Sequence, residues 1–131
     1  MNYADAQLNC QNRFGNHGGK LFEPRRANTN QLVSAAAANF VSGTSTSIWN
    51  FWLGMNDLAT QGQYVYASDG KTINSTIGSG MWHSNQPNSA NEQCVGYFTM
   101  ATYGGKWFDR PCDFLSFSIC ELKLPLTSNC K

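Results

Sequence analysis

The first fourteen residues place Tyr3, Ala6, Cys10 and Phe14 on one stripe of a helix, and Asn2 is positioned to cap it. Gly15, Gly18 and Gly19 end that pattern, and Lys20-Leu21-Phe22 reads as a short extended piece closed by Pro24. Helical spacing returns from about Asn30 to Phe40, where Leu32, Val33, Ala36, Ala37 and Phe40 supply the apolar face. Asn28, Thr29 and Asn30 compete for its cap, and the run Ala35 to Ala38 suits close packing on a sheet. From Ser47 the period changes. Ile48, Trp49, Phe51, Trp52 and Leu53 form a dense apolar strand ending at Gly54. Gln63 to Tyr66 alternates like a half-buried strand and is turned by Ser68-Asp69-Gly70. Residues 67 to 93 form a long loop region rich in Ser, Asn and Gly, anchored by Met81-Trp82; a loop of that length is usually functional or disordered. Three closing strands follow at Cys94 to Phe98, Lys106 to Phe108 and Phe117 to Glu121. Two helices and then several strands predict an α+β fold with an antiparallel sheet, undivided by any repeat or linker.

Composition narrows the function classes. A chain of 131 residues suits one domain, and 41% apolar against 13% charged positions argues against disorder. Nine Lys and Arg against eight Asp and Glu leave a net charge of +1, and no basic run exceeds Arg25-Arg26, so nucleic acid is a poor partner. No apolar run approaches the roughly 20 residues that span a bilayer, so membrane insertion is not expected. Five cysteines without a Cys-x-x-Cys pair read as disulfides rather than as a zinc site. Cys10, Cys94, Cys112 and Cys120 allow two bridges, with the connectivity open, and Cys130 is left over. The sequon Asn74-Ser75-Thr76 agrees with a secreted, extracellular protein, and the start at Met1-Asn2-Tyr3, with no apolar leader, reads as a mature form. No Ser/His/Asp or Cys/His arrangement and no paired acids with a base stand out, so an enzyme is not expected.

Several short motifs occur together and in order. They are Tyr3-x-x-Ala6-x-x-x-Cys10, then Trp52-Leu53-Gly54-Met55-Asn56-Asp57, then Gly62-Gln63-Tyr64-Val65-Tyr66. After these come Trp82-His83-Ser84-Asn85-Gln86-Pro87-Asn88, Glu92-Gln93-Cys94, Trp107-Phe108-Asp109-Arg110-Pro111-Cys112 and Ile119-Cys120-Glu121. With them the chain resembles the C-type lectin-like domain over residues 3 to 121. The resemblance implies two helices flanking antiparallel sheets with a long loop region, and the bridges Cys10–Cys120 and Cys94–Cys112. It divides the chain into a domain at 1–121 and a C-terminal tail at 122–131. A strand that members carry before the first helix does not precede Tyr3 here, so either it lies upstream of Met1 or another segment covers the edge beside Ile119 and Cys120; Leu122 to Thr127 is one candidate, with Pro125 restricting it to an edge. Cys130 then reads either as an inter-chain disulfide, giving a homo- or hetero-dimer, or as the partner of a cysteine further upstream.

In sugar-binding relatives a calcium ion lies between the loop element and the Trp-x-Asp strand. The resemblance implies one such site here, with Gln86, Asn88, Glu92 and Asp109 as ligands. Their oxygens are the hard donors calcium requires, and two carboxylates with two amides leave the site near neutral, hence of modest affinity. Pro87 matches a cis-proline that would turn Gln86 and Asn88 the same way. Two vicinal hydroxyls of a sugar would complete the shell, contacted by the same four side chains and by Phe108.

Three departures bear on this. Phe108 stands where relatives have Asn, the interval from Asn88 to Glu92 is short, and Gln86-Pro87-Asn88 matches neither the galactose-type nor the mannose-type motif. Auxiliary calcium positions are mostly absent: Asp57 is present, but Gln61, Ser89 and Gln93 replace carboxylates.

The blander readings are a turn for Gln-Pro-Asn, core positions for Trp49, Trp52 and Trp107, and packing for Tyr97, Phe98 and Tyr103. His83 reads as a polar loop residue, His17 lacks an evident partner, and Asp113 and Glu121 read as solvated or structural. The leading expectation is a secreted, calcium-dependent, carbohydrate-binding lectin whose weak single sites favour oligomers. The alternative is the same scaffold without sugar, serving as a protein- or ice-binding module.

Overall fold

The computed structural model describes residues 1–13, 18–43, 50–73, 80–83, 86–87, 91–98 and 106–122. Expectations for Phe14, His17, Ile48, Trp49, the sequon at Asn74, Asn88, Ser89, Tyr103, Cys130 and the tail beyond Leu122 lie outside the described residues. Helix α1 spans Tyr3–Arg13 and buries Tyr3, Ala6 and Cys10, while Asn2 Oδ1 accepts the Asp5 N–H at 2.8 Å as the expected cap. Strand β1 is Lys20–Leu21, and helix α2 is Ala27–Ser42. Strands β2 (Asn50–Asn56), β3 (Val65–Tyr66), β4 (Cys94–Phe98) and β5 (Trp107–Arg110) follow, with β6 (Phe117–Ser118) and β7 (Cys120–Glu121) at the end.

Two sheets result. The larger runs β3-β2-β4-β5 with antiparallel neighbours, and β6 joins β2 in parallel, an exception to the antiparallel pattern expected from sequence. The smaller sheet is β1 with β7, antiparallel, so Lys20 faces Glu121 across the ladder and Leu21 faces Cys120. The segment read from sequence as a short extended piece therefore pairs with the closing strand. That closing strand splits at Ile119, whose carbonyl accepts the Phe22 N–H at 2.7 Å.

Helix α2 departs most from its sequence pattern. It begins at Ala27, so Arg26 is the cap residue and has no capping side-chain hydrogen bond, and it runs on to Ser42. Its buried face is Asn30, Ser34, Ala37 and Val41, whereas Leu32 is 74% and Phe40 49% exposed. Asn30 explains the rotation. Its Oδ1 accepts hydrogen bonds from the Tyr97 hydroxyl and from Trp107 Nε1 (3.0 Å), and its Nδ2 donates to Met81 Sδ at 3.2 Å. A fully buried amide so satisfied turns the helix by its polar contacts rather than by its leucine.

Phe22, Phe51, Leu53, Met55, Tyr66, Val95, Tyr97 and Trp107 fill the main core, with Ala37 and Val41 from α2. Tyr3, Ala6, Leu21 and Trp52 pack with the half-cystines Cys10 and Cys94 in a second cluster. Trp52, Trp107 and Tyr97 are essentially fully buried, which makes them packing residues. Gly96 permits β2 and β4 to close: a Cβ there would lie 2.6 Å from the Phe51 carbonyl oxygen. Disulfides join Cys10 to Cys120 and Cys94 to Cys112. The first ties α1 to β7; the second ties the start of β4 to the turn after β5.

Candidate functional site

The candidate site lies where the loop element meets β5. Strands β4 and β5 pair with Val95 opposite Asp109 and Gly96 opposite Phe108, fixing where the Trp107-Phe108-Asp109 side chains stand. The loop is strapped to that strand by its backbone. The Trp107 carbonyl accepts the His83 N–H at 3.0 Å, and the His83 carbonyl accepts the Gln86 N–H at 2.9 Å. Trp82 adds aromatic weight, edge-on to Tyr64 at 4.9 Å and to Trp107 at 5.6 Å. The Gln86–Pro87 peptide bond is cis.

Three of the four side chains expected from the resemblance come together on this frame. Gln86 Oε1 accepts the Asp109 N–H at 3.4 Å, which brings the loop amide against the strand carboxylate residue. Glu92 is half-buried, and its pKa is raised above the usual carboxylate range by burial first and by the Asp109 charge second, with Arg110 opposing. Two carboxylates so placed repel each other. Asn88, the fourth, lies outside the described residues.

Tyr64 joins them in this cluster; from sequence it is an alternating strand position within the Gly62–Tyr66 motif and not a site residue. Its hydroxyl donates to the Glu92 carbonyl at 3.2 Å. Burial, then the charges of Asp109 and Asp57, and a hydrogen bond to Asp109 raise the Tyr64 pKa, so the phenol stays protonated and serves as a donor. No sequence signal announces that role, because it depends on three residues distant in the chain. Asp57 lies alongside: its Oδ2 accepts the Gly62 N–H at 2.8 Å, and its N–H donates to the Gln93 carbonyl at 3.1 Å. The buried Asp57 Oδ1 has no hydrogen-bond partner among the described residues.

Phe108 is 6% exposed. Its ring stacks with His83 at 4.7 Å, and the Arg110 guanidinium sits 4.7 Å from its centroid. Phe108 therefore holds two polar side chains beside the cluster, and His83, read from sequence as a plain loop residue, is fixed against it. Glu121 is structural, accepting the Glu23 N–H at 3.0 Å beside the β1–β7 pair.

The donor set suits a hard cation. The Gln86 amide oxygen meets the Asp109 backbone, the Asp109 charge acts on the Glu92 carboxylate, and a cation between the two carboxylates would relieve their repulsion. Among the described residues no three His, Cys, Asp or Glu side chains gather into a metal-binding group, so an ion here relies on amide and carbonyl oxygens as well. No helix among the described residues is long and apolar enough to cross a membrane.

Two helices, paired antiparallel sheets, two disulfides and a loop-borne oxygen cluster beside a Trp-x-Asp strand define the C-type lectin class of domain. The Lectin C-type domain family matches residues 1–122, and the chain belongs to that family. It is 30% identical to Collectin-10 of Gallus gallus over 122 residues, covering 92% of this chain and 38% of that protein. It is 29% identical to Lectin BRA-3 of Megabalanus rosa, covering 95% of this chain and 67% of that protein. Among solved structures, TC14, a C-type lectin from the tunicate Polyandrocarpa misakiensis, superposes with a TM-score of 0.72 at 27% identity, covering 95% of this chain and 92% of that one. The chain spans under two fifths of the length of the collectins it matches, at 38% and 39%. Members of the family generally bind calcium. Family membership makes this a binding domain rather than an enzyme.

Proposed function

We propose that this domain binds carbohydrate in a calcium-dependent manner through one site at the Gln86 loop. Gln86, Asn88, Glu92 and Asp109 hold the ion, which when bound offers open coordination positions to two vicinal hydroxyls of a sugar. Around it the chain's own residues orient and exclude. Gln86 and Asn88 hydrogen-bond the hydroxyls, Tyr64 donates into the acidic cluster, and Phe108 supports the site through the side chains packed on its ring. The observation that carries this reading is the meeting of Gln86 Oε1 with the Asp109 backbone, next to a Glu92 carboxyl whose pKa is raised by burial and then by the Asp109 charge. The names of the relatives, Lectin BRA-3 and TC14 among them, support it.

In this reading residues 1–121 are the binding module and 122–131 a C-terminal tail, whose Cys130 would serve an inter-chain disulfide or a bridge to a cysteine further upstream. Two disulfides persist best in an oxidising compartment, which supports secretion. Whether galactose-type or mannose-type sugars are preferred is an outcome of the test. The protein is passed over immobilised galactose and mannose with calcium present, then challenged with a chelator. Retention on either sugar, release by chelator and loss of retention in Asp109→Asn and Glu92→Gln are expected. No retention on any sugar, by a protein that melts normally, leaves the second reading, a lectin-like scaffold without sugar that serves as a protein- or ice-binding module. Phe108 in place of an amide ligand is the observation that favours it.

A further inference from the structure

Arg110 ends β5 one residue past Asp109, and its side chain turns back over the Phe108 ring. Nη1 donates to the Asp109 carbonyl oxygen at 3.4 Å while the guanidinium carbon lies 4.7 Å from the Phe108 centroid. The charge of the guanidinium also acts favourably on the Glu92 carboxylate. Arginine stays charged at any pH the protein meets, and its flat, weakly hydrated head group suits a seat on an aromatic face. The residue at position 108 thus has a double consequence. An aromatic ring there removes one oxygen donor from the cage and provides the seat for a cation of the chain's own.

We propose that Arg110 is a built-in competitor for calcium: its guanidinium, seated on Phe108 and bonded to the Asp109 carbonyl, supplies positive charge to the Glu92–Asp109 cluster when metal is absent and raises the calcium concentration the site requires. The inference rests on the calcium reading above. The Asp109 carbonyl is a natural calcium ligand, and here it already accepts a hydrogen bond. A divalent ion taking the Asp109 carbonyl as a ligand would have to displace that bond and also bear the repulsion of the guanidinium that makes it. In a solvent-screened pocket that repulsion corresponds to on the order of tenfold in affinity. Without metal the same charge offsets the carboxylate repulsion and holds the cluster together.

The test is a calorimetric calcium titration, paired with thermal melts with and without calcium, on the wild type, Arg110→Gln and Arg110→Lys; no sugar is needed. Arg110→Gln is expected to bind calcium about tenfold more tightly, to melt lower than wild type without calcium, and to regain stability when calcium is added. Arg110→Lys, which keeps the charge, is expected to stay within about twofold of wild type. Equal affinities in wild type and Arg110→Gln would overturn the inference and leave the calcium site standing. So would an Arg110→Lys as tight as Arg110→Gln, because charge would then not be the competitor. Absence of calcium binding in all three, each folded, would remove the calcium reading and the competitor with it.

Discussion

Asn30 is the polar hub of the main core, and its replacement by alanine tests how the helix is held to the sheet that carries the site. The side chain is fully buried and accepts from two donors, the Tyr97 hydroxyl and Trp107 Nε1 at 3.0 Å. The two losses are unequal. The Tyr97 hydroxyl also reaches the Asn30 backbone carbonyl at 3.3 Å, a partner that survives the substitution. Trp107 Nε1 loses its amide acceptor while fully buried and keeps only its contact with the Tyr97 hydroxyl, at a cost of about 1–3 kcal/mol, and the weakened Tyr97 contact adds about 1 kcal/mol. Asn30→Ala should therefore destabilise by about 3 kcal/mol, which lowers Tm by about 10 °C in a domain of this length. Tyr97→Phe should cost only about 1 kcal/mol, since Trp107 keeps Asn30. The double variant should fall short of the sum, because both changes act on one network. Denaturant melts followed by tryptophan fluorescence measure all three. A loss under about 1 kcal/mol for Asn30→Ala, or strict additivity in the cycle, would refute the hub.

Other consequences are independent of that network. Gly96→Ala places a methyl group 2.6 Å from the Phe51 carbonyl, so β2 and β4 must separate; the expected cost is about 3 kcal/mol, and a urea midpoint unchanged from wild type would contradict it. The bridge between Cys10 and Cys120 closes a separation of 110 residues and that between Cys94 and Cys112 one of 18. In the chain-entropy view, removing the first as a Cys→Ser pair should cost about 4–5 kcal/mol against about 3 kcal/mol for the second, and a reversed order in thermal melts would contradict this. Burial alone would raise the pKa of Glu23, but hydrogen bonds from Arg25, Ser68 and Lys20 outweigh it and hold the carboxyl below its ordinary 4.5. A lowered acid pKa contributes stability that is complete above that ordinary value and lost as pH falls through the folded-state value. The stability gap between wild type and Glu23→Gln should accordingly be largest near pH 7 and shrink below about pH 4.5. A gap constant across that range would show that the carboxylate charge contributes nothing.

The elements carrying the motifs were readable from sequence because short-range chemistry decides them. The α1 stripe of Tyr3, Ala6 and Cys10 is buried as its spacing implies, and Asn2 caps it. The dense run around Trp52 became β2, although the strand continues past Gly54 to Asn56; the Gly54 N–H donates to the Phe22 carbonyl and the Gly54 carbonyl accepts the Ala67 N–H. The face of helix α2 was legible only in part: Ala37 is buried, Val33 packs on the core and Phe40 touches Phe51 and Phe117, but apolar periodicity cannot anticipate a buried asparagine that serves a tyrosine and a tryptophan some 70 residues away. Parallel pairing of β6 with β2 is likewise a long-range matter, set by the split of the closing segment at Ile119. At the candidate site, Gln86, Glu92 and Asp109 were legible as types in a known order. Tyr64 and Arg110 were not, because their roles come from what the fold brings beside them.

The most direct measurement is an equilibrium calcium titration of the folded domain alongside Glu92→Gln and Asp109→Asn. Saturation at one ion per chain in the wild type, with a rise in Tm, is expected, and both variants should lose the binding. Identical titrations for all three proteins, whether flat or saturating, would contradict a metal held between the Gln86 loop and β5.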